Sequence, residues 1–179
     1  MATPATTSYD RPMIEAFARV RSAEAGDAEA LARVHERAWR LAYAGIIPHA
    51  HLRAMVGRRD EAWFERNING SDATLALEAG GAVAGYATLG RSRTFARPEG
   101  EIYELYLAPE YQGLGFGERL FDAARDRLRR RGLRGLLVWA LTDNVAACDF
   151  YRARGGKRTA RGFERFGKTV LEKTAYCWE

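Results

Sequence analysis

Two carboxylates, Glu101 and Glu104, stand shortly before the stretch Gln112-Gly113-Leu114-Gly115-Phe116-Gly117. Glycine at alternate positions lets backbone N–H groups converge on an anion, because no side chain crowds them. A helix starting at the same turn adds its unpaired amides and the positive end of its dipole. A carboxylate beside such a cradle is a candidate general base. Together these residue types point to transfer chemistry on a phosphate-tailed cofactor.

The flanking elements must hold these groups in place. Glu101 to Leu107 reads as a strand, whose alternation puts Glu101, Tyr103, Leu105 and Leu107 on one face. Ile102, Glu104 and Tyr106 then fall on the other. After the turn, Leu120, Phe121, Ala124 and Leu128 make one apolar helical stripe, with charged residues opposite and Gly132 as the stop. Leu136 to Leu141 is uniformly apolar, as a buried parallel strand is. Asn144 opens a short helix through Tyr151 and Arg154.

Upstream, Ile14 to Val20 alternates as a first strand, and Asp27 is the expected N-cap of a helix over Ala28–Tyr43. Short helices are expected over His49–Met55 and, capped by Asp60, up to Ile68. Strands Ala73–Glu78 and Val83–Arg91 flank an Ala79-Gly80-Gly81 turn. Strands near Lys157–Phe166 and Thr169–Trp178 close the chain. Without repeats or an internal linker, this order describes one α/β domain over residues 13–179 with a mixed sheet, preceded by a tail of residues 1–12.

Composition narrows the function classes. The 179 residues, 47% hydrophobic and 28% charged, suit one globular domain with a sizeable core. No apolar run approaches the ~20 residues that span a bilayer, and residues 1–13 lack the apolar core of a secretory signal. Cys148 and Cys177 are far apart, which favours a reduced, cytoplasmic protein without a metal site. His49 and His51 have no nearby cysteine and form no metal motif. The charge of +5 is spread among scattered arginines, and Arg129-Arg130-Arg131 ends a helix, where cations complement the dipole. Neither nucleic acid nor a membrane is an expected partner.

Three phosphate cradles compete for the glycine turn. A P-loop requires Gly-Lys-Ser/Thr, but Glu118 and Arg119 follow Gly117. A dinucleotide fingerprint starting at Gly113 requires glycine where Glu118 stands. The third fits: Gln112-x-x-Gly115-x-Gly117, preceded by Leu105-Tyr106-Leu107-Ala108-Pro109, resembles the acetyl-coenzyme A motif of the GNAT N-acetyltransferase superfamily. Asn144-Val-Ala-Ala147-Cys-Asp-Phe150-Tyr151 with Gly155 resembles that family's second signature.

The resemblance implies a mixed, mostly antiparallel sheet flanked by helices, with a splayed parallel strand pair. It implies acetyl-CoA as acetyl donor, held by the amides of Gly113, Leu114, Gly115, Phe116 and Gly117 beside Gln112. The backbone of Leu105, Tyr106 and Leu107 would meet the pantetheine arm, and Asn144 would bond to it. A backbone N–H near Leu107 would stabilise the oxyanion. Tyr151 resembles the tyrosine that serves the departing thiolate. Phenol-to-thiolate transfer is uphill by roughly 2 kcal/mol, so a transition-state hydrogen bond or a lowered tyrosine pKa is required. Glu101 occupies the position of a catalytic glutamate, with Glu104 next in line. Trp39 and Tyr43 are candidates for an acceptor pocket that would take a small-molecule or peptide amine. A homodimer is compatible with this family. The alternative is a catalytically silent CoA-binding or interaction module of the same fold.

Overall fold

A computed structural model describes residues 18–95 and 97–179. The expected tail over 1–12, and the start of the first strand at Ile14, lie outside the described residues. Seven strands form one sheet in the order β1-β2-β3-β4-β5-β7-β6. They are β1 (Ala18–Ser22), β2 (Ala73–Ala79), β3 (Ala82–Arg91), β4 (Gly100–Leu107), β5 (Leu136–Leu141), β6 (Lys157–Phe166) and β7 (Thr169–Trp178). All neighbours are antiparallel except β4 and β5. The helices are α1 (Ala28–Tyr43), α2 (His49–Gly57), α3 (Glu61–Ile68), α4 (Phe116–Arg130) and α5 (Val145–Ala153).

Each helix follows its apolar stripe onto the sheet. Leu120, Phe121, Ala124 and Leu128 of α4 are fully buried against Leu89, Ile102 and Val138, and Tyr151 of α5 joins the same layer. On the opposite face, Leu31 and Val34 of α1 pack with Phe64 of α3 over Ala76 and Tyr86. A third cluster joins Tyr43, Ile47, Leu52 and Val56 to Leu141 and Phe166. The sheet is thus covered on both sides, which explains the uniformly apolar β5. Among the described residues, no helix is long and apolar enough to cross a membrane, and no group of three or more His, Cys, Asp or Glu is placed to hold a metal.

Caps set the helix starts. The Asp60 carboxylate accepts the Trp63 amide at 2.8 Å, as its place before α3 requires. Asp27 behaves differently from expectation. Its carboxylate turns back to the Glu24 amide at 2.8 Å and to Arg21 at 2.6 and 2.9 Å, and makes no side-chain cap on α1. A strong bidentate arginine outcompetes the α1 amides for it. The arginine contact also holds the Asp27 carboxyl below its ordinary pKa, against the opposing effect of burial.

Candidate active site

Strands β4 and β5 pair only over Gly100–Ile102 and Leu136–Val138. Beyond Ile102 they diverge. The gap opens into a cavity of about 760 Å³, lined on one side by Leu105, Tyr106 and Leu107 and on the other by Asn144, Ala147 and Tyr151. The splayed pair is therefore present. Ala108 donates to Ala84 on β3 at 2.9 Å, so by alternation the Leu107 N–H points the other way, toward the gap. The Gln112 side-chain amide donates to the Leu107 carbonyl at 3.1 Å and ties the glycine turn to the strand end.

The turn lies at one end of the cavity, with Gly113, Gly115 and Gly117 on its wall. Gly113 and Gly115 have φ of +75° and +82°, conformations that side chains resist, and nothing stands within 4 Å of where their Cβ atoms would be. Among the described residues, no backbone carbonyl accepts from the amides of Gly113 to Gly117, and Gly115 starts α4 without a side-chain cap. Those amides form a donor-rich concavity suited to an anion. Gly117 has a different reason to be glycine: a Cβ there would come 3.1 Å from the Phe150 ring. Phe116 contributes only backbone, since its ring is buried in the core, and the Leu114 side chain is exposed off the cavity wall.

Opposite the turn, Asn144 caps α5 by accepting the Ala147 amide at 3.1 Å, and it also lines the cavity. Tyr151 projects from α5 among Phe121, Tyr176 and Trp178. Burial pushes its phenol above the ordinary tyrosine value. Of the two ways to serve a thiolate, the lowered pKa is thereby corrected, and the protonated phenol as hydrogen-bond donor is left. Cys148 is buried, with its thiol toward the carbonyls of Leu141 and Thr142 at 3.6 and 3.8 Å and away from the cavity wall.

The carboxylates depart from simple alternation. Leu89 on β3 pairs with Ile102 while Thr88 pairs with Glu104, so Tyr103 is an extra residue, a β-bulge. Facing pairs share a side of the sheet, so the bulge inverts the parity of β4. Ile102, Leu105 and Leu107 face α4, whereas Glu101, Glu104 and Tyr106 all face the α1 side. Sequence alternation had placed Glu101 with Leu105 and Leu107, and Ile102 with Glu104; the inserted residue overturns both pairings.

Although they share a face, the two acids have different surroundings. Both Glu104 oxygens are occupied: Arg59 Nε donates to Oε1 at 2.9 Å and the Tyr86 hydroxyl to Oε2 at 3.1 Å. Glu101 is buried and accepts only the Arg93 backbone amide, at 2.8 Å, among its described hydrogen bonds. Burial raises its carboxyl above the usual range, opposed by the Arg93 amide and by the charges of Arg93 and Lys173. A carboxylate tuned upward is the better matched base near neutral pH. Neither acid is on the wall of the 760 Å³ cavity, whereas Tyr106, on the same face of β4, is.

Trp39 and Tyr43 lie one layer behind that wall. Their rings meet at 4.8 Å, and the Tyr43 hydroxyl is 2.9 Å from that of Tyr106. The cavity lining on this side comes instead from Ala38, Leu41, Ala42 and Ile46. Sequence reading passed over two further groups. His35, fully buried, bonds through Nδ1 to the Tyr86 hydroxyl at 2.7 Å, and burial lowers its pKa to about 3, so it is neutral. Arg154 lies on the cavity wall, stacked 4.1 Å from the centre of the Phe150 ring and paired with Glu118.

Comparison with known proteins agrees with this geometry. Residues 31–155 match the model of the acetyltransferase (GNAT) family. The chain is 31% identical over 161 residues to the uncharacterized N-acetyltransferase YuaI of Bacillus subtilis, covering 89% of this chain and 91% of YuaI. It is 29% identical to the mycothiol acetyltransferase of Saccharomonospora viridis over 86% of this chain, spanning only 50% of that longer protein. In fold it resembles the PaiA N-acetyltransferase of Thermoplasma acidophilum, solved with coenzyme A, at a TM-score of 0.72 and 20% identity over 88% of this chain and 97% of that one. The chain belongs to the GNAT acetyltransferase family and is an acetyl-CoA-dependent N-acetyltransferase.

Proposed function

We propose that this enzyme acetylates a primary amine by direct attack within a ternary complex. The observation that carries the reading is the splayed β4–β5 cleft, with a donor-rich glycine turn at one end and a protonated Tyr151 on its wall. The turn amides hold the pyrophosphate, and Leu105 to Leu107 and Asn144 hold the pantetheine arm. The amine nitrogen forms a bond to the thioester carbon while the carbonyl oxygen takes negative charge beside the Leu107 N–H. The C–S bond then breaks, and the sulfur leaves against the Tyr151 hydroxyl. Glu101 takes the amine proton through an intervening water, because its side chain is not on the cavity wall.

Mycothiol acetyltransferases and the L-methionine sulfoximine/L-methionine sulfone acetyltransferases of Pseudomonas, among the relatives, support a small-molecule acceptor over a peptide. Thiol release from acetyl-CoA across a panel of amino acids, polyamines, aminoglycosides and peptide N-termini tests the reading; no release with any amine would overturn it. The Glu101 role has its own test. Glu101→Gln should lower turnover about 10²–10⁴-fold. In the parent enzyme the rate should fall as pH drops through the raised Glu101 pKa, and the variant should lose that acid limb.

A further inference from the structure

We propose that Asp72, Arg93 and Tyr103 form a clamp that positions the Glu101 carboxylate. They are positioning residues rather than catalytic ones, and their effect on the reaction rests on Glu101 being the base. The clamp is built on the bulge. Tyr103, the extra residue, donates its hydroxyl to the Arg91 carbonyl at 2.7 Å, with Asp72 Oδ1 at 3.4 Å. The Arg93 guanidinium lies 3.4 Å from the centre of the Tyr103 ring and donates to Asp72 Oδ2 at 2.9 Å. The backbone amide of the same Arg93 is the one that donates to Glu101 Oε2.

Gly90, the partner of Glu101 across the β3–β4 ladder, leaves room for this assembly. A Cβ at Gly90 would collide with the Asp72 carboxylate and the Tyr103 hydroxyl. An ion pair this exposed contributes little to folding by itself. Stacking and the ion pair converge on Arg93, while the Tyr103 hydroxyl holds the Arg91 carbonyl two residues before it, and together they fix the direction of the Arg93 amide. The charged groups acting on Glu101 are Arg93 from the loop and Lys173 from β7. Its ladder partners, Gly90 and Leu137, carry no charge, and Glu104 on the same face is paired with Arg59.

The test compares Tyr103→Phe and Asp72→Asn with the parent protein. Carbon-13 NMR titration follows the Glu101 carboxyl, assigned by its loss in Glu101→Gln, and needs no acceptor. Weakening the Arg93 amide contact should move the midpoint up by about one pH unit, a tenfold change in ionisation constant. The acid limb of the pH–rate profile should move with it, and acetyl-CoA affinity should stay within about threefold. Asp72→Glu, which keeps the carboxylate, should restore the parent midpoint. An unchanged or lowered midpoint in both Tyr103→Phe and Asp72→Asn overturns the clamp and leaves the base reading standing. A raised midpoint with an unmoved acid limb keeps the clamp and overturns Glu101 as the base.

Discussion

The donor and acceptor sides of the cleft are built from different materials. On the donor side the working groups are backbone: amides of the glycine turn, the free edge of β4 past Ile102, and one capping asparagine. On the acceptor side they are side chains that hold one another, such as His35 on Tyr86, Tyr86 and Arg59 on Glu104, and Tyr43 on Tyr106. Backbone donors have fixed geometry once the fold forms, so in the proposed reading that side is preorganised for acetyl-CoA. The other side takes its shape from which side chains interlock, and there specificity can vary without disturbing the fold.

That contrast can be broken experimentally. The largest effect is expected from Gly115→Glu, which puts a side chain and a negative charge where φ is +82° and the cradle is open. It should weaken acetyl-CoA binding by at least about 100-fold, and unaltered affinity by calorimetry would show that the cradle lies elsewhere. Next, Tyr151→Phe removes a hydroxyl from the cavity wall but keeps the ring among Phe121, Tyr176 and Trp178. Loss of one hydrogen bond to a charged leaving group, roughly 1.5–3 kcal/mol, should lower kcat about 10–100-fold with little change in acetyl-CoA affinity. An unchanged kcat would return Tyr151 to a packing role.

The smallest effect on activity sharpens the contrast between the acids. Glu104→Gln keeps an acceptor for the Tyr86 hydroxyl but leaves Arg59 unpaired. Arg59 is partly exposed, so the stability loss should be about 1 kcal/mol, read from denaturant melts. Its acid limb should match that of the parent enzyme. If Glu104→Gln abolished the limb and Glu101→Gln did not, the two acids would exchange roles.

The local geometry of the proposed donor half was largely legible in the sequence because its requirements are local. Glycines at 113 and 115, an asparagine before a helix and the apolar run of β5 each declare their geometry within a few residues. The acceptor half was not, because it depends on a count. Only when β3 and β4 are laid side by side does Tyr103 prove to be one residue too many, and that surplus brings Glu101 and Glu104 to one face. Asp27 holds the N-cap position read from the sequence, but its carboxylate goes to Arg21 of β1, and cap propensity does not anticipate a guanidinium arriving from outside the helix. Trp39 and Tyr43 had the chemistry of pocket walls, but Tyr106 stands in front of them.

A Cβ on Gly117 would come 3.1 Å from the Phe150 ring, so the start of α4 and the middle of α5 lie side by side. A side chain at 117 would push the two helices apart. The glycine turn and Tyr151 are thereby joined through Phe150 on one side of the cavity. Exposed Leu41 and half-buried Ile46 edge the cavity near the end of α1, where a larger side chain would narrow the entrance without disturbing that packing.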